Sequence, residues 1–371
     1  MEYDLKEITR YLPDGWEEAA KDKKALLRSR NIKTAEQLLS LLLTYLSGNG
    51  SFMDTSVQMS LSGLSVTKNA TVWRVLSSGE WLRWLAENLS KTACGGLEKP
   101  EFLNEKSLIL VDASDELVKN RIQKGGKRKL WRLHYAFDLF NFCCKEMQLT
   151  EAAEGEKLTR YTIEENEIYV ADRVYSTIKG IEHIKQGGGY FVLRLKSNSF
   201  NLYDKVGEKI DVLPILSELG TYENISIDCF YKDSEQELCP IRIVAMKKDE
   251  KAIHETVKRM NRKKSKKQEM EVSAETKEFN EYILTATNLS YTNEQILEIY
   301  RTRCQIEMLF FRLKSLFGYG NAPIEKDKSA KAWFYGKIFI AALCETILKR
   351  EAFSPEAEEL VKTIDRTESG V

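Results

Sequence analysis

Apolar and polar positions alternate with a helical period through the first hundred residues. Leucines recur at helical spacing in KTAEQLLSLLLTYL (33–46), and tryptophans and leucines do so in GEWLRWLAENL (79–89). Between them, residues 55–76 predict two helices joined by a turn at Gly63, with Thr67 or Asn69 near the second helix start. This pattern is typical of a DNA-binding helix-turn-helix and equally of any other helical hairpin. We therefore predict an N-terminal all-helical domain.

The pattern then changes to short apolar runs without a polar face, which are typical of strands buried on both sides. One such run ends at Asp112 (SLILVD) and another at Asp172 (EIYVAD). A helix-like segment near residues 150–163 and an amphipathic helix at 176–188 separate the strands, so we predict the order β-β-β-α-β-α-β in a mixed α/β sheet. The predicted strands are residues 107–113, 129–139, 143–149, 167–172 and 190–196.

A different texture begins near residue 200. Two segments, 223–232 and 237–248, alternate as antiparallel strands do, and a strongly basic stretch follows them. A strand near 282–289, a long helix at 293–317 with Asn293 as its N-cap, and a last helix complete the pattern. We predict a helical DNA-binding domain over residues 1–100 and a catalytic core in two parts, 101–199 and 281–351. A β-rich insertion (200–280) separates the two parts of the core, and a polar tail (352–371) follows them.

Composition narrows the possible functions. The 371 residues carry 56 basic and 56 acidic side chains, so no overall positive field points to nucleic acid. The seven cysteines are scattered and lack metal-site or disulfide spacing, which indicates a reducing compartment. The three histidines are too few and too dispersed for a histidine-based metal cluster. The N-terminus is unlike a signal peptide and no apolar run reaches membrane-spanning length. We expect a cytoplasmic protein without a membrane partner.

One polar stripe stands out on the long helix YRTRCQIEMLFFRLK (300–314). On a helical wheel Tyr300, Arg303, Glu307 and Lys314 share an arc about 60° wide, and apolar residues cover the other side. Taken alone, this arrangement is most often a surface salt-bridge stripe, because i,i+4 pairs such as Arg303 and Glu307 are common and weak.

Three carboxylates change that interpretation. Asp112 and Asp172 each end a buried strand, where Asp commonly serves as a turn residue. If the two strands are neighbours, their acids lie side by side, and a helix packed on the sheet brings Glu307 to them. Such carboxylates repel one another unless a cation neutralises them, and oxygen ligands suit Mg²⁺ or Mn²⁺. Two such ions support phosphoryl transfer, and we expect the carboxylates within roughly 4–8 Å of one another.

Local basic clusters supply a reason to expect a polyanion. A lysine-rich run is usually a solvated helix face, but beside the acids it fits a site that acts on nucleic acid. The first cluster follows the Asp112 strand and contains Lys124, Lys127, Arg128 and Lys129. The second lies in the insertion and contains Lys258, Arg259, Arg262, Lys263, Lys264, Lys266 and Lys267.

These motifs together resemble bacterial DDE transposases of the insertion-sequence-four family. The family signature, Tyr-x2-Arg-x3-Glu-x6-Lys, is matched without gaps by Tyr300, Arg303, Glu307 and Lys314. The segments LILVDAS around Asp112 and YVADRVY around Asp172 resemble the two Asp motifs of the family. The resemblance implies an RNase H-like core with a mostly β insertion, and catalysis by Asp112, Asp172 and Glu307 holding two Mg²⁺ or Mn²⁺ ions. This sequence differs from the family pattern at Val174, where many members have Gly.

The resemblance also implies the substrate and the reaction. Double-stranded DNA, as element ends with terminal inverted repeats and as target DNA, would be cut and joined by a homodimer through a hairpin intermediate at the bacterial nucleoid. The expected DNA-binding residues are Tyr300, Arg303, Lys314, Arg173, Lys127, Arg128, Lys129, Arg262, Lys263 and Lys264. Some members stack a flipped base on Trp in the insertion; here Tyr203, Tyr222, Phe230 or Tyr231 would replace it.

Two other functions remain open from the sequence alone. A catalytically silent DNA-binding relative would keep the fold but lose an acid, and none of the three is lost. A stand-alone RNase H-like nuclease would need neither the helical domain nor the large insertion.

Overall fold

Helices form the first part of the chain, as the periodicity predicts. They are α1 (Glu2–Thr9), α2 (Trp16–Asp22), α3 (Ala35–Ser47), α4 (Phe52–Leu61), α5 (Lys68–Ser77) and α6 (Gly79–Thr92). Gly63 turns the chain between α4 and α5 with φ of 87°, a left-handed conformation that favours glycine. The Thr67 hydroxyl accepts a hydrogen bond from the Ala70 amide at 3.3 Å and caps α5. This computed structural model describes residues 2–27, 31–48, 50–92, 98–117, 130–196, 199–267, 274–320, 322 and 327–352.

The predicted core strands are confirmed. They are β1 (Ser107–Leu117), β2 (Leu130–Asp138), β3 (Cys143–Glu151), β4 (Glu167–Ala171) and β5 (Tyr190–Arg194), and α7 (Ile178–Gln186) connects the last two. The predicted helix near 150–163 is wrong: two short 3-10 turns stand there, Ala152–Glu154 and Leu158–Arg160. Gly155 separates them with φ of 70°, which ends any helix at that point.

The insertion contains helices as well as strands. Its elements are β6 (Leu202–Tyr203), β7 (Lys209–Ile210), α8 (Leu213–Ser217), β8 (Asn224–Lys232), β9 (Leu238–Lys247), α9 (Glu250–Lys267) and α10 (Ala274–Phe279). β10 (Tyr282–Thr287) follows and pairs with both β9 and β5. The described residues thus form one ten-stranded sheet in the order β3-β2-β1-β4-β5-β10-β9-β8-β6-β7. The insertion extends the core sheet at the β10 side.

The predicted long helix at 293–317 is two helices. α11 (Asn293–Arg301) ends just before α12 (Cys304–Ser315) begins. At the junction the amides of Arg303 and Gln305 bond to carbonyls three residues back, and the Thr302 hydroxyl donates to the Ile299 carbonyl at 2.7 Å. The Thr302 side chain thus hydrogen-bonds a backbone carbonyl in the last turn of α11, and the tighter turn separates α11 from α12. The predicted N-cap is also wrong, because Thr292 caps α11 in a capping box with Gln295.

Two apolar cores sandwich the sheet. Residues alternate along each strand, so Leu108 and Leu110 of β1 belong to one core and Ile109 and Val111 to the other. The first core contains α11, α12 and the N-terminal helices, and the second contains α7. This alternation decides which face each strand-end residue occupies.

The last helix, α13 (Asp327–Ala352), joins the N-terminal helices to the sheet. Its Trp333 ring packs edge-on against Tyr45 of α3, with ring centroids 5.9 Å apart. Lys337 donates to the Leu46 carbonyl at 2.7 Å, and the Leu149 amide of β3 donates to the Tyr335 hydroxyl at 3.2 Å. Among the described helices, none is both long enough and apolar enough to cross a bilayer.

Candidate active site

The strand register places Asp112 and Asp172 next to each other. β1 and β4 run parallel, and Val111 pairs with Ala171, so the next residue on each strand is the acid. Asp112 lies two residues beyond Leu110, and Asp172 lies two beyond Val170; both of these apolar residues face the α11–α12 core. The acids therefore share one face at the carboxyl ends of adjacent parallel strands, as the sequence predicts.

Helix α12 brings Glu307 to the same edge. α12 packs on β1, and the guanidinium of Arg303, at its start, lies between two carboxylates. Its Nη2 donates to Oε1 of Glu307 at 2.8 Å, and its Nη1 lies 3.9 Å from Oδ2 of Asp112. Arg303 is 15% exposed, whereas the Glu307 side chain is 55% exposed. One cation thus links the helix acid to the strand acid.

Burial and neighbouring acids disfavour the charged form of Asp112 at this edge of the sheet. Burial raises the pKa of Asp112 to about 6, and the carboxylates of Glu307 and Asp172 raise it further, while the Ala113 amide and Arg303 oppose the shift. The Ala113 amide donates to Oδ1 of Asp112 at 2.8 Å. A half-buried carboxyl flanked by two others is stabilised in its charged form by any added cation.

Asp172 has a different partner. The Tyr300 hydroxyl, at the end of α11, donates to Oδ1 of Asp172 at 3.4 Å. Nη1 of Arg194 on β5 lies 3.5 Å from the same hydroxyl and donates to it. Tyr300 is only 7% exposed, so its ring also forms part of the α11 core. The break at Thr302 allows Tyr300 to face Asp172 while Glu307 faces Asp112.

The donor set fits divalent metal ions, although the side chains are not gathered as a closed cage. Within the described ranges no group of three or more His, Cys, Asp or Glu side chains is arranged to hold a metal. The guanidinium of Arg303 instead occupies the position between Asp112 and Glu307 where a cation is favourable. Oxygen ligands from two strand ends and one helix are the type that Mg²⁺ and Mn²⁺ prefer.

The remaining predicted DNA-binding residues are distributed as follows. Lys314 is exposed on α12, two turns beyond Glu307. Arg173 directly follows Asp172 and donates to Oδ1 of Asn280 at 2.5 Å. Arg262 is exposed on α9. The side chains of Lys127, Arg128, Lys129, Lys263 and Lys264 lie outside the described residues. Of the aromatic candidates, Tyr231 is buried, which leaves it no face for a base, while Tyr222 is exposed.

Sequence reasoning missed two groups of side chains near the acids. Glu156 follows the first 3-10 turn, and its Oε1 lies 3.6 Å from Arg132. Burial raises the pKa of Glu156, and both Asp112 and Asp172 are close enough to add to that effect. Lys248 at the end of β9 and Arg194 on β5 lie on the other side of Asp172 in the sheet order. No local pattern marks these residues, because strand pairing brings them to the site.

Comparison with known proteins identifies the family of the chain. The transposase DDE domain family model matches residues 103–344. InsL of insertion sequence element IS186A from Escherichia coli (strain K12) is 27% identical over 354 residues, which cover 91% of each chain. The transposase for insertion sequence element IS421 from Escherichia coli is 26% identical over 355 residues, again 91% of each chain. The transposase for IS231F from Bacillus thuringiensis subsp. israelensis is 25% identical over 209 residues, 50% of this chain and 43% of the relative.

The family match spans well over half of the chain and includes both strand-end acids and the helix that carries Glu307. Its span begins just before β1 and ends within α13, so it contains the whole sheet. The chain belongs to the DDE transposase family, enzymes that cut DNA strands and transfer them.

Proposed function

We propose that this transposase moves an insertion sequence by a cut-and-paste reaction in which Asp112, Asp172 and Glu307 hold two Mg²⁺ or Mn²⁺ ions. The observation that carries the assignment is the parallel register of Val111 with Ala171, which puts Asp112 beside Asp172 on the face covered by α12. The ungapped Tyr-Arg-Glu-Lys signature further supports membership of the insertion-sequence-four group.

Each residue of the proposed site has a distinct role in the reaction. When bound, the two ions activate the attacking oxygen and stabilise the leaving oxygen. Asp112 and Asp172 fix one side of the site from rigid strands, and Glu307 closes it from α12. Arg303 neutralises Asp112 and Glu307 before cations bind, and afterwards its planar fork is available to a phosphate. Tyr300 and Lys314 hold the same DNA strand through a hydroxyl and a point charge.

The strand chemistry follows from this site. Water attacks the phosphodiester at the element end and leaves a free 3′-hydroxyl. That hydroxyl attacks the opposite strand and forms a hairpin, and after hairpin opening it attacks target DNA. In each step one phosphorus–oxygen bond forms as another breaks. Water cuts the first strand and later opens the hairpin, leaving a 5′-phosphate and a 3′-hydroxyl each time. Each attack by a 3′-hydroxyl releases the 3′-hydroxyl of the strand that is cut, so no oxidant or reductant is required.

The N-terminal helices supply the proposed contact with element ends. α4, the Gly63 turn and α5 have the arrangement of a helix-turn-helix. The outer surface of α5 exposes Lys68, Asn69 and Trp73, the last at 73%, which offers a cation, an amide and an aromatic ring to DNA. Two copies of the chain, one on each end, would assemble the complex.

The test is cleavage of a labelled duplex whose end sequence comes from the inverted repeats that flank the gene. Asp112→Ala, Asp172→Ala and Glu307→Ala should each abolish cleavage in Mg²⁺ or Mn²⁺ and leave end binding largely intact. Ca²⁺ should support binding without turnover. Asp228→Ala, an exposed acid on β8, is the matched control and should cleave normally. Full cleavage in EDTA would rule out the proposed chemistry. Binding by the unaltered protein without cleavage in any metal would favour a silent DNA-binding relative.

A further inference from the structure

Three cations lie close together beside Asp172 and act on one another's charge. Arg173, Arg194 and Lys248, called here the Lys248 cluster, come from the turn after β4, from β5 and from the end of β9. Asn280 links two of them: its side-chain oxygen accepts from Arg173, and its backbone carbonyl accepts from the Lys248 ammonium. Arg194 connects the cluster to Asp172 through the Tyr300 hydroxyl.

The oxygens that hold this cluster are mostly uncharged. Within the described residues, no salt bridge joins any of the three cations to a carboxylate. Lys248 is only 8% exposed, and the Nε of Arg194 is buried without a hydrogen-bond partner among the described atoms. Burial lowers the pKa of Lys248 to about 8, and Arg194, Arg173 and Arg259 lower it further. These groups therefore raise one another's free energy in the protein alone.

The basic helix α9 extends this positive surface. Arg259 is exposed on α9 and close enough to act on both Lys248 and Arg173. Two acids also act on the cluster, Asp172 on Arg173 and Glu281 on Lys248, but neither forms a salt bridge with these cations among the described residues. An anion that brings several oxygens would satisfy the spare donors and remove the repulsion together.

We propose that the Lys248 cluster is a preformed binding site for one backbone phosphate of the DNA strand that passes Asp172, next to the phosphate that is cut. This inference rests on the proposed function, because it takes the strand as positioned by the acids. Lys248 and Arg194 approach the phosphate from the sheet, and Arg173 fixes its distance from Asp172. The site would hold the strand in register with the acids from the side of the insertion, opposite the contribution of α12.

The proposal predicts opposite effects of Lys248 on stability and on DNA binding. Lys248→Met removes a buried cation, so the melting temperature of the DNA-free protein should stay equal or rise. Its affinity for the cleavable end duplex should fall about 5- to 20-fold near 0.1 M salt, and the slope of log affinity against log salt should shrink by about 0.9, as expected for one lost phosphate contact. Lys248→Arg should restore most of the affinity. Lys179→Met, which removes an exposed lysine from α7, is the control.

The decisive experiment places a neutral methylphosphonate at each phosphate flanking the cut site, one duplex at a time. The unaltered protein should lose affinity at one neighbouring position, and Lys248→Met should show no additional loss there, whereas Lys179→Met should behave like the unaltered protein. Equal losses in Lys248→Met and the unaltered protein at every position would overturn the phosphate site. If Lys248→Met does not fold, Lys248→Gln keeps a donor for the Asn280 carbonyl and serves in the same comparison. Failure of the unaltered protein to cleave in Mg²⁺ would instead count against the proposed function.

Discussion

At the scale of single residues, Arg303 sets the charge balance of the site. Its guanidinium is close to both Asp112 and Glu307, and both acids would otherwise repel each other across the edge of the sheet. A cation held between two carboxylates is a partner that an arriving metal ion must replace. In the proposed mechanism Arg303 balances these two acids until metal ions bind, and it then becomes available to DNA.

Conservative exchanges should separate the two cations of α12. Arg303→Lys loses the planar fork and should impair hairpin formation or strand transfer after the first nick, whereas Lys314→Arg keeps a positive charge and should retain most activity. Lys314→Ala should weaken assembly of the protein–end complex. A stepwise cleavage assay with labelled ends, run beside thermal melts, measures these effects. If both residues only form surface salt bridges, alanine variants would lose less than about 1 kcal/mol of stability and nick normally.

The raised pKa of Asp112 predicts a pH effect on stability. The pKa of Asp112 in the folded protein, about 6, lies above the ordinary 3.8. Its contribution to the free energy of unfolding is therefore fully present below about pH 4 and is lost as the pH rises through about 6. Asp112→Asn avoids this loss. In EDTA its stability relative to the unaltered protein should rise by about 2 kcal/mol between pH 4.5 and 7.5, because each pKa unit corresponds to about 1.4 kcal/mol and part of the loss in the unaltered protein has already occurred at pH 4.5.

Denaturant unfolding at the two pH values measures this gain. Asp228→Asn, which changes an exposed acid, should show no comparable difference. A gain for Asp112→Asn that is the same at both pH values would contradict a carboxyl that burial keeps protonated.

At the scale of elements, the break at Thr302 gives the polar stripe two directions. A continuous helix would present Tyr300 and Glu307 on one stripe, as the helical wheel predicts. In the structure Tyr300 is mostly buried beside Asp172, and Glu307 is exposed beside Asp112. The sequence near Thr302 contains no Gly or Pro, so no breaker signal reveals the junction.

The capping box at the start of α11 is testable. Thr292→Ala removes the acceptor for the Gln295 amide and should lower the free energy of unfolding by about 1 kcal/mol. Thr292→Ser keeps the hydroxyl and should retain most of it. Equal losses in both variants, measured by denaturant unfolding, would show that the methyl group matters and the cap does not.

This cap was within reach of sequence reasoning, and the sheet order was not. The spacing Thr292-x-x-Gln295 is a capping-box signature, but the neighbouring Asn293 is an equally common cap residue, so the pattern also predicts a helix that begins one residue later. The acids Asp112, Asp172 and Glu307 were found because each has a local signal, a strand end or a helix motif. Lys248 and Arg194 had none, since only pairing of β10 with both β5 and β9 brings them together.

At the scale of the whole molecule, α13 packs tightly against the N-terminal helices at Gly336. A Cβ at this position would lie 2.5 Å from Cδ1 of Leu46, a fully buried side chain. Gly336→Ala should therefore lower stability by about 1–3 kcal/mol despite the better helix propensity of alanine. Gly79→Ala is the control, because its nearest contacts are at an ordinary 3.6 Å. Thermal melts of both variants decide the point, and equal melting temperatures would show that Leu46 moves aside freely.

The contact between α13 and α3 joins residues that the ribosome makes far apart in time. Lys337 and Leu46 are 291 positions apart, so at roughly 5–20 residues per second the partner of the first helices emerges about 15–60 s after them. Until then the apolar side of α3 that receives Trp333 has no cover, and the nascent chain carries an incomplete N-terminal domain. A chain cut short before α13 would keep both strand-end acids and Glu307 but lack the helix that joins the sheet to the N-terminal helices. The N-terminal helices thus gain their packing against α13 only after every strand of the sheet has been made.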